Sequence, residues 1–486
     1  MSTSSVAELG EFEKAISVDQ HGIEPIPESD RDSTSWQQFW IWFGANITPT
    51  SWVVGAIGPE LGLSLLQSIV LMGVGQAAGA AIFGLFTLMG KRTGVSQLAL
   101  GRMAFGRRGN NAPAILQALI TLSWIGLNTY VVLSLATYCL HKLGLPNNHA
   151  VEYTVAAVIM VAQLIVGTLG FYAIRTFEKW TVPVLAVIMG VMTVLAFAKG
   201  HVTWNHSTVH GSSLLTAGTE FMTAVGIGWG FSWVAWASDY SRFTRPAVTE
   251  RRLYWASAIG TYIPMIWLGI LGAAMASSAT NSDPAELVAS LFGVMTIPVL
   301  IVIIHGAVAV NIESVYSAPL CMLAGGIKLK RWVGSVLTGI IASGVLIAFL
   351  ASTTFATSFT NYMNSFVIWT AAWGAIILID YFVINRGRVD LQALYDDPGT
   401  SRYGDIRWPA LFALLAGLVA GWAFEYGSAS LFQGPLSRAT NGVDFSWLAA
   451  ILASGAVYYV LARTRQVPVT SAGAVDDRPR AGIAQP

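Results

Sequence analysis

The chain has 486 residues, of which 54% are hydrophobic and only 11% charged, less than half the roughly 25% charged content of an ordinary soluble protein. A formal net charge of +1 leaves no basic footprint for nucleic acid, and the only two cysteines, Cys139 and Cys321, lie in or beside apolar stretches, so neither a disulfide framework nor a metal site is indicated. These figures exclude a soluble globular protein and point to an all-α integral membrane chain.

Residues 1–35 are acidic, contain several serines and lack an apolar core, so they read as a cytosolic N-terminal tail rather than a signal peptide. From Trp36 to Leu461 apolar stretches recur, each long enough to cross a hydrocarbon core of about 30 Å. Twelve are distinguishable, centred near Trp52, Gly75, Leu127, Val161, Ile188, Gly228, Trp267, Val308, Leu337, Trp369, Leu415 and Ile451. We number them spans 1 to 12. Cytoplasmic loops carry the excess of Lys and Arg. With the N-terminus inside, twelve spans put all but Lys142, Lys199 and Arg438 of the 27 basic residues on the cytoplasmic side. A miscount of one span would destroy that partition. The expected location is the plasma membrane, with both termini cytoplasmic.

Carriers built on inverted repeats place their substrate between two discontinuous helices, visible as Gly/Pro-interrupted apolar segments in corresponding positions. Span 1 holds Asn46-Ile47-Thr48-Pro49-Thr50-Ser51, where Pro49 removes a backbone donor and small polar residues can satisfy the freed groups. Span 6 holds Gly226-Ile227-Gly228-Trp229-Gly230. Glycines also allow close packing of membrane helices, but the matching positions, five spans apart, favour paired breaks. The expected layout is a first repeat over 36–200 (spans 1 to 5), a second over 214–385 (spans 6 to 10), two added spans over 408–462, and a cytosolic tail over 463–486. Within span 3, Trp124 and Asn128 lie one helical turn apart. They offer an aromatic face beside an amide that both donates and accepts, a pairing suited to a small planar heterocycle.

Gly90-Lys-Arg-Thr-Gly-Val-Ser-Gln-Leu-Ala-Leu-Gly-Arg-Met-Ala-Phe-Gly106 resembles the loop after span 2 in the nucleobase:cation symporter-1 family, especially its purine-cytosine permease branch. Trp124-Ile-Gly-Leu-Asn128 resembles that branch's span 3 signature, Ala237-Ser-Asp239-Tyr240-Ser-Arg242-Phe243 the end of its span 6, and Ile379-Asp380-Tyr381-Phe382 the end of its span 10. The resemblance covers about residues 36 to 465. It implies a LeuT-like fold of five-plus-five inverted repeats with two additional helices. It also implies proton- or sodium-driven import of a nucleobase such as cytosine or a purine, with no cofactor. On this resemblance Trp124 stacks on the ring and Asn128 bonds its edge. Trp233 is the second stacking residue, with Trp229 the alternative, and Thr50 or Ser51 supplies a hydroxyl. Span 8 departs from the pattern: the fungal Asn-Asn-x-Pro-Asn-x-Tyr-Ser reads Val310-Asn311-Ile312-Glu313-Ser314-Val315-Tyr316-Ser317 here. Ser314 stands where the substrate-binding asparagine is expected, and Asn311 is placed to share the task.

Sodium-coupled members of that fold use hydroxyls at the positions of Val308 and Ala309, which offer no side-chain oxygen. An ionisable residue at membrane depth is a functional candidate because it costs at least about 2.5 kcal/mol to hold an Asp-like group there. Glu313 and His305 are the coupling-ion candidates in span 8. Asp239 and Asp380 end their spans beside Arg242 and Arg386, as helix-end charges or gate ion pairs. An integral-membrane enzyme would gather His, Asp or Glu clusters at one face, and a channel would favour a symmetric pore; neither pattern is present. Carriers of hydantoin, allantoin, thiamine or pyridoxine-like compounds share the same planar logic.

Overall fold

The computed structural model describes residues 13–463 apart from 15, 20, 147, 200–201, 279–284, 287, 290–292, 351–354 and 428–429. The segments 1–12 and 464–486, which hold much of the two expected tails, lie outside the described residues. Among the described residues eight helices are long and apolar enough to cross a membrane. Two shorter apolar helices, Trp408–Phe424 and Ser446–Ala462, form spans 11 and 12. The remaining two spans, 1 and 6, are interrupted.

Span 1 opens as Ser35–Gly44, started by a capping box in which the Thr34 hydroxyl accepts from Gln37 N and the Gln37 amide accepts from Thr34 N. It unwinds over 45–48 and resumes as Pro49–Glu60. Proline suits the first helical position, where its missing N–H would have no partner anyway. Span 6 runs Ser212–Phe221, a π-helical turn Met222–Gly228, then Trp229–Phe231. It breaks over 232–236 and ends as Ala237–Ser241. The expected break at Gly226–Gly230 is therefore corrected: the chain there stays helical and opens just beyond it. The glycines serve the other purpose. A Cβ on Gly75 of span 2 would lie 2.5 Å from Gly226 Cα, and one on Gly79 would lie 2.4 Å from Gly230 C. Two small-x-x-x-small faces thus touch backbone to backbone, the arrangement that packs helices closely without a hydrophobic driving force between them.

Span 7, Glu250–Ser278, packs along both halves of span 1 and along span 2 (Leu65–Thr93). Span 8, Thr296–Ala324, packs against span 3 (Asn111–Lys142), span 4 (His149–Leu169), span 5 (Phe171–Lys199) and span 9 (Arg331–Leu350). The two broken helices run between these groups. Span 10, Phe355–Leu378 continued by the π-helical Ile379–Ile384, leans on span 6 and on span 12, and spans 11 and 12 pack on one another. Only Gly170 separates spans 4 and 5, with φ +105, a left-handed conformation that glycine adopts freely.

The described part of the N-terminal segment is fastened to the body. Asp19 N donates to Leu169 O at 2.7 Å, Arg331 Nη2 to Asp19 O at 2.8 Å, and Arg242 Nη1 to Gly22 O at 2.7 Å. Further along, Tyr395 Oη donates to Ile23 O at 2.6 Å, Ile26 N to Gly94 O at 2.9 Å, and Arg175 pairs with Asp32 at 2.7 Å. The strap therefore ties the ends of spans 2, 4, 5 and 6 and the start of span 9 to the loop after span 10. His21 bridges it internally, Nδ1 lying 2.6 Å from Asp19 Oδ1 and Nε2 3.3 Å from Asp30 Oδ2.

The hydrogen bond to Asp19 raises the His21 pKa against the opposing effect of burial. Burial pushes Asp19 up, but its hydrogen bonds with His21 and the Arg331 charge outweigh it and leave the carboxyl below its ordinary range. A raised histidine contributes stability that is present below its unfolded value of about 6.5 and is lost as pH rises through the folded value. Hydrogen-exchange protection factors for the amides of Asp19 and Ile26 should accordingly fall as pH rises above about 6.5, and His21→Ala should remove that fall. At the helix crossing, Gly79→Ala forces a methyl into backbone, an overpacking that costs about 1–3 kcal/mol. Thermal unfolding in detergent, followed by tryptophan fluorescence, should show a lowered midpoint, with Gly190→Ala, where a Cβ meets nothing within 4 Å, as the unaffected control.

Candidate functional site

The two breaks and two continuous helices enclose a cavity. Ala45, Asn46 and Thr48 come from span 1, Trp124 and Asn128 from span 3, Trp229, Ser232, Trp233 and Trp236 from span 6, and Val310 and Ser314 from span 8. The centre of a water-sized sphere has about 20 Å³ to occupy there, little more than one water requires. Trp124 and Asn128 are each 5% exposed, Trp229 6% and Trp233 7%, so the cavity is narrow and its walls are nearly buried.

Its walls are fixed by hydrogen bonds that also satisfy the unwound backbone. Asn46 Nδ2 donates to Trp42 O at 2.8 Å, Ser51 Oγ to Asn46 O at 2.7 Å, and Trp233 Nε1 to Asn46 Oδ1 at 2.9 Å. Thr50 Oγ1 donates to Asn128 Oδ1 at 3.0 Å, which turns the amide oxygen toward span 1. Trp124 meets Trp229 at 5.6 Å and 66°, and Phe366 at 5.7 Å and 89°. Trp233 meets Trp42 at 5.6 Å and Trp236 at 5.3 Å, both edge-on.

Trp124, Asn128, Trp233, Trp229 and Ser314 are thus brought together as the sequence suggested, and both span 6 tryptophans line the cavity. Of the two span 6 tryptophans, Trp229 is the one whose ring meets that of Trp124. Thr50 and Ser51 do not line the cavity; they hold Asn128 and Asn46, which do. Asn311 lies outside it. Its Nδ2 donates to Gln163 Oε1 at 2.8 Å and Thr129 Oγ1 at 2.9 Å, tying span 8 to spans 3 and 4. His305 is exposed on the flank of span 8, 3.0 Å from Thr181 Oγ1 and 4.9 Å from the Phe177 ring, also outside the cavity.

Glu313 is fully buried and faces a residue the sequence reading passed over, Glu178 of span 5, which is 2% exposed. The same membrane-depth rule that singles out Glu313 applies to Glu178, but in sequence Glu178 stands between Arg175 and Lys179, a charge cluster of the kind found where a span ends. Asn46, Thr48, Ser232 and Trp236 were likewise not singled out. Asn46 and Thr48 sit inside the break motif, and Ser232 and Trp236 follow the glycine run that drew attention away from them.

The helix-end charges are held by several partners. Asp239 Oδ1 accepts from Gln97 N at 2.9 Å, while Arg242 turns to Gly22 O and to Tyr316 Oη at 2.8 Å. Asp380 accepts from Tyr458 Oη at 2.5 Å and Asn385 Nδ2 at 3.1 Å. Its influential cation is Arg407 rather than Arg386. Both carboxylates sit in the terminal helical segments of their spans and fasten loops and spans together through these hydrogen bonds.

The fold and the sequence have known counterparts. Mhp1, a nucleobase-cation-symport-1 family transporter solved in a closed conformation with bromovinylhydantoin bound, superposes with a TM-score of 0.74 at 19% identity, over 92% of this chain and 96% of that one. The all-helical, LeuT-like membrane fold expected from the sequence is therefore the fold observed. Among relatives, YxlA of Bacillus subtilis is 25% identical over 93% of this chain and 97% of its own length. The purine-cytosine permease fcyB of Emericella nidulans is 24% identical over 91% and 87%. The family model described as permease for cytosine/purines, uracil, thiamine, allantoin matches residues 25–450, and the chain belongs to that family of multi-pass membrane permeases.

Proposed function

We propose that this protein is a secondary transporter of the plasma membrane that imports a small planar nitrogen heterocycle, a nucleobase such as cytosine or a purine, by alternating access. The observation that carries the reading is the narrow cavity at the meeting of two broken helices, walled by Trp124, Trp229, Trp233 and Trp236 and edged by Asn128, Ser232 and Ser314. Aromatic faces match a flat ring, and an amide whose oxygen is already engaged by Thr50 presents its N–H donors to a ring edge. Spans 1–5 and 6–10 are the inverted repeats, with both termini cytoplasmic. A carrier of hydantoin-like or allantoin-like rings is the second reading. It is favoured by Ser314 standing where the branch has an asparagine, and by the hydantoin ligand carried by Mhp1.

The coupling ion we assign is the proton. Val308 and Ala309 supply no side-chain oxygen for a sodium ion, whereas Glu313 places an ionisable group at membrane depth. Uptake should be stimulated by an inward proton gradient, collapse with a protonophore and ignore replacement of sodium by choline. Strict sodium dependence at constant pH would overturn the assignment.

Counterflow of radiolabelled cytosine in proteoliposomes, with a panel of unlabelled heterocycles as competitors, tests the transport reading and ranks the two substrate classes. Trp124→Ala should lower apparent affinity about tenfold or more, since loss of apolar contact adds to a stacking term of about 0.5–1.5 kcal/mol. Trp124→Phe should retain part, and unchanged uptake by the Ala variant would assign Trp124 to packing. Asn128→Ala should reorder the competitors. Thr50→Val removes one hydrogen bond worth about 1 kcal/mol, so affinity should fall about fivefold with the order of competitors kept, because the amide is loosened but still present.

A further inference from the structure

Span 5 and span 8 face each other through two acids. Glu178 and Glu313 are 2% and 0% exposed, and all four carboxylate oxygens are buried without a partner at full hydrogen-bond geometry. The two side chains nevertheless lie close enough to act on each other, and no basic side chain among the described residues acts on either. Tyr240 also lies beside them, its hydroxyl donating to the Glu313 backbone carbonyl at 2.9 Å, while Arg175 and Lys179 flank Glu178 along span 5. Two ionised carboxylates in such a setting would repel at low dielectric with nothing to offset them.

The pair touches the moving parts. A Cβ on Gly44, the last residue before the span 1 break, would lie 3.1 Å from the Glu178 carboxyl carbon. Glu178 therefore abuts the helix end whose next residues, Ala45 and Asn46, line the cavity. Tyr240, beyond the span 6 break, packs edge-on against Trp42 at 5.1 Å. Glu178 also forms part of the wall of a separate groove of about 360 Å³ between span 1 and span 5, beside Trp36, Gln37, Trp40, Arg175 and Lys179. Glu178 follows the start of span 5 by seven residues, about 10 Å at 1.5 Å per residue, so the groove reaches it from the membrane interface at the strap side.

We propose that Glu178 and Glu313 form one proton-binding site, an acid–carboxylate pair that holds the coupling proton between spans 5 and 8 and releases it into the span 1–span 5 groove when span 1 moves. The inference rests on the proton-coupled reading and adds the partner and the exit. The chemistry is one proton on one oxygen: binding converts the charged pair to a singly charged, hydrogen-bonded pair, and release returns the proton to water in the groove. Movement of Gly44 away from Glu178 lets water reach the carboxyl, linking opening of the break to deprotonation.

The test is accumulation of radiolabelled cytosine in proteoliposomes under an inward proton gradient, for wild type, Glu178→Gln, Glu313→Gln and the double variant. Each single variant is expected to lose at least tenfold of the gradient-driven accumulation while counterflow persists, and the double variant to be no worse than either single one. Glu178→Asp, which keeps the charge on a shorter side chain, should remain coupled with a displaced pH profile. Proton-driven accumulation that survives in Glu178→Gln but not in Glu313→Gln would overturn the pair and leave Glu313 as a lone carrier. A wild type indifferent to the proton gradient would instead overturn the coupling reading, and the pair with it. Infrared spectra of the substrate-free protein decide the matter without transport: a protonated-carboxyl band at neutral pH should shift in both single variants. Its absence in wild type, or an unmoved band in Glu178→Gln, would sink the proposal.

Discussion

The hydrogen bond from the Trp233 indole to the Asn46 side chain joins two gaps that a bilayer would not otherwise tolerate. Every backbone group freed at membrane depth needs a partner within the protein, and Asn46 meets that need for span 1. Its amide covers the Trp42 carbonyl, and its own carbonyl is covered by Ser51. By accepting from Trp233 it also fixes the ring just inside the span 6 break. The two discontinuities are thus stable because each supplies what the other lacks, and the cavity exists because both occur at the same place.

That closure limits what the observed state can hold. A ring inserted between two parallel aromatic faces needs them about 7 Å apart, twice the optimal carbon–carbon contact, whereas Trp124 and Trp229 stand at 5.6 Å and inclined to one another. Admission of a flat ligand therefore requires the walls to part and turn. The least costly places to bend are those where the helical ladder is already interrupted, 45–48 and 232–236. The glycine faces of spans 2 and 6 resist change at Gly226 and Gly230, so the stiff part of span 6 ends where its hinge begins.

Much of the fold was legible because membrane solvent imposes simple rules: apolar length gave the twelve spans, and Pro49 with its small polar neighbours marked the span 1 break. The span 6 break was displaced by a few residues because glycine signals both permissive backbone and close packing, and only the presence of Gly75 and Gly79 opposite decides between them. Trp124, Asn128 and Ser314 were legible as a site through helical spacing and motif. Asn311 was not, since its amide nitrogen is spent on Thr129 and Gln163, partners on two other spans that no local pattern connects. Glu178 was hidden for the same reason: its meaning depends on Glu313, 135 positions away in sequence. The N-terminal strap was missed because its polarity suits a free tail, while its attachment runs largely through backbone groups, which any sequence offers.

On the proposed reading, the substitution of Ser314 for an amide changes how selectivity can be built. A site that hydrogen-bonds a ring edge rejects analogues lacking the matching group far more strongly than an apolar wall rejects a change of size. Here the long amides at the cavity are Asn128, whose oxygen is held by Thr50, and Asn46, whose side chain is engaged at both ends. Directional recognition therefore converges on the Asn128 donors, supplemented by the shorter hydroxyls of Thr48, Ser232 and Ser314. A cavity with one firm polar edge and several aromatic faces selects chiefly for flatness and for a single acceptor in the right place. Discrimination among planar rings then falls to how far the tryptophans must part, which ties substrate choice to the same movement of span 1 that uncovers Glu178.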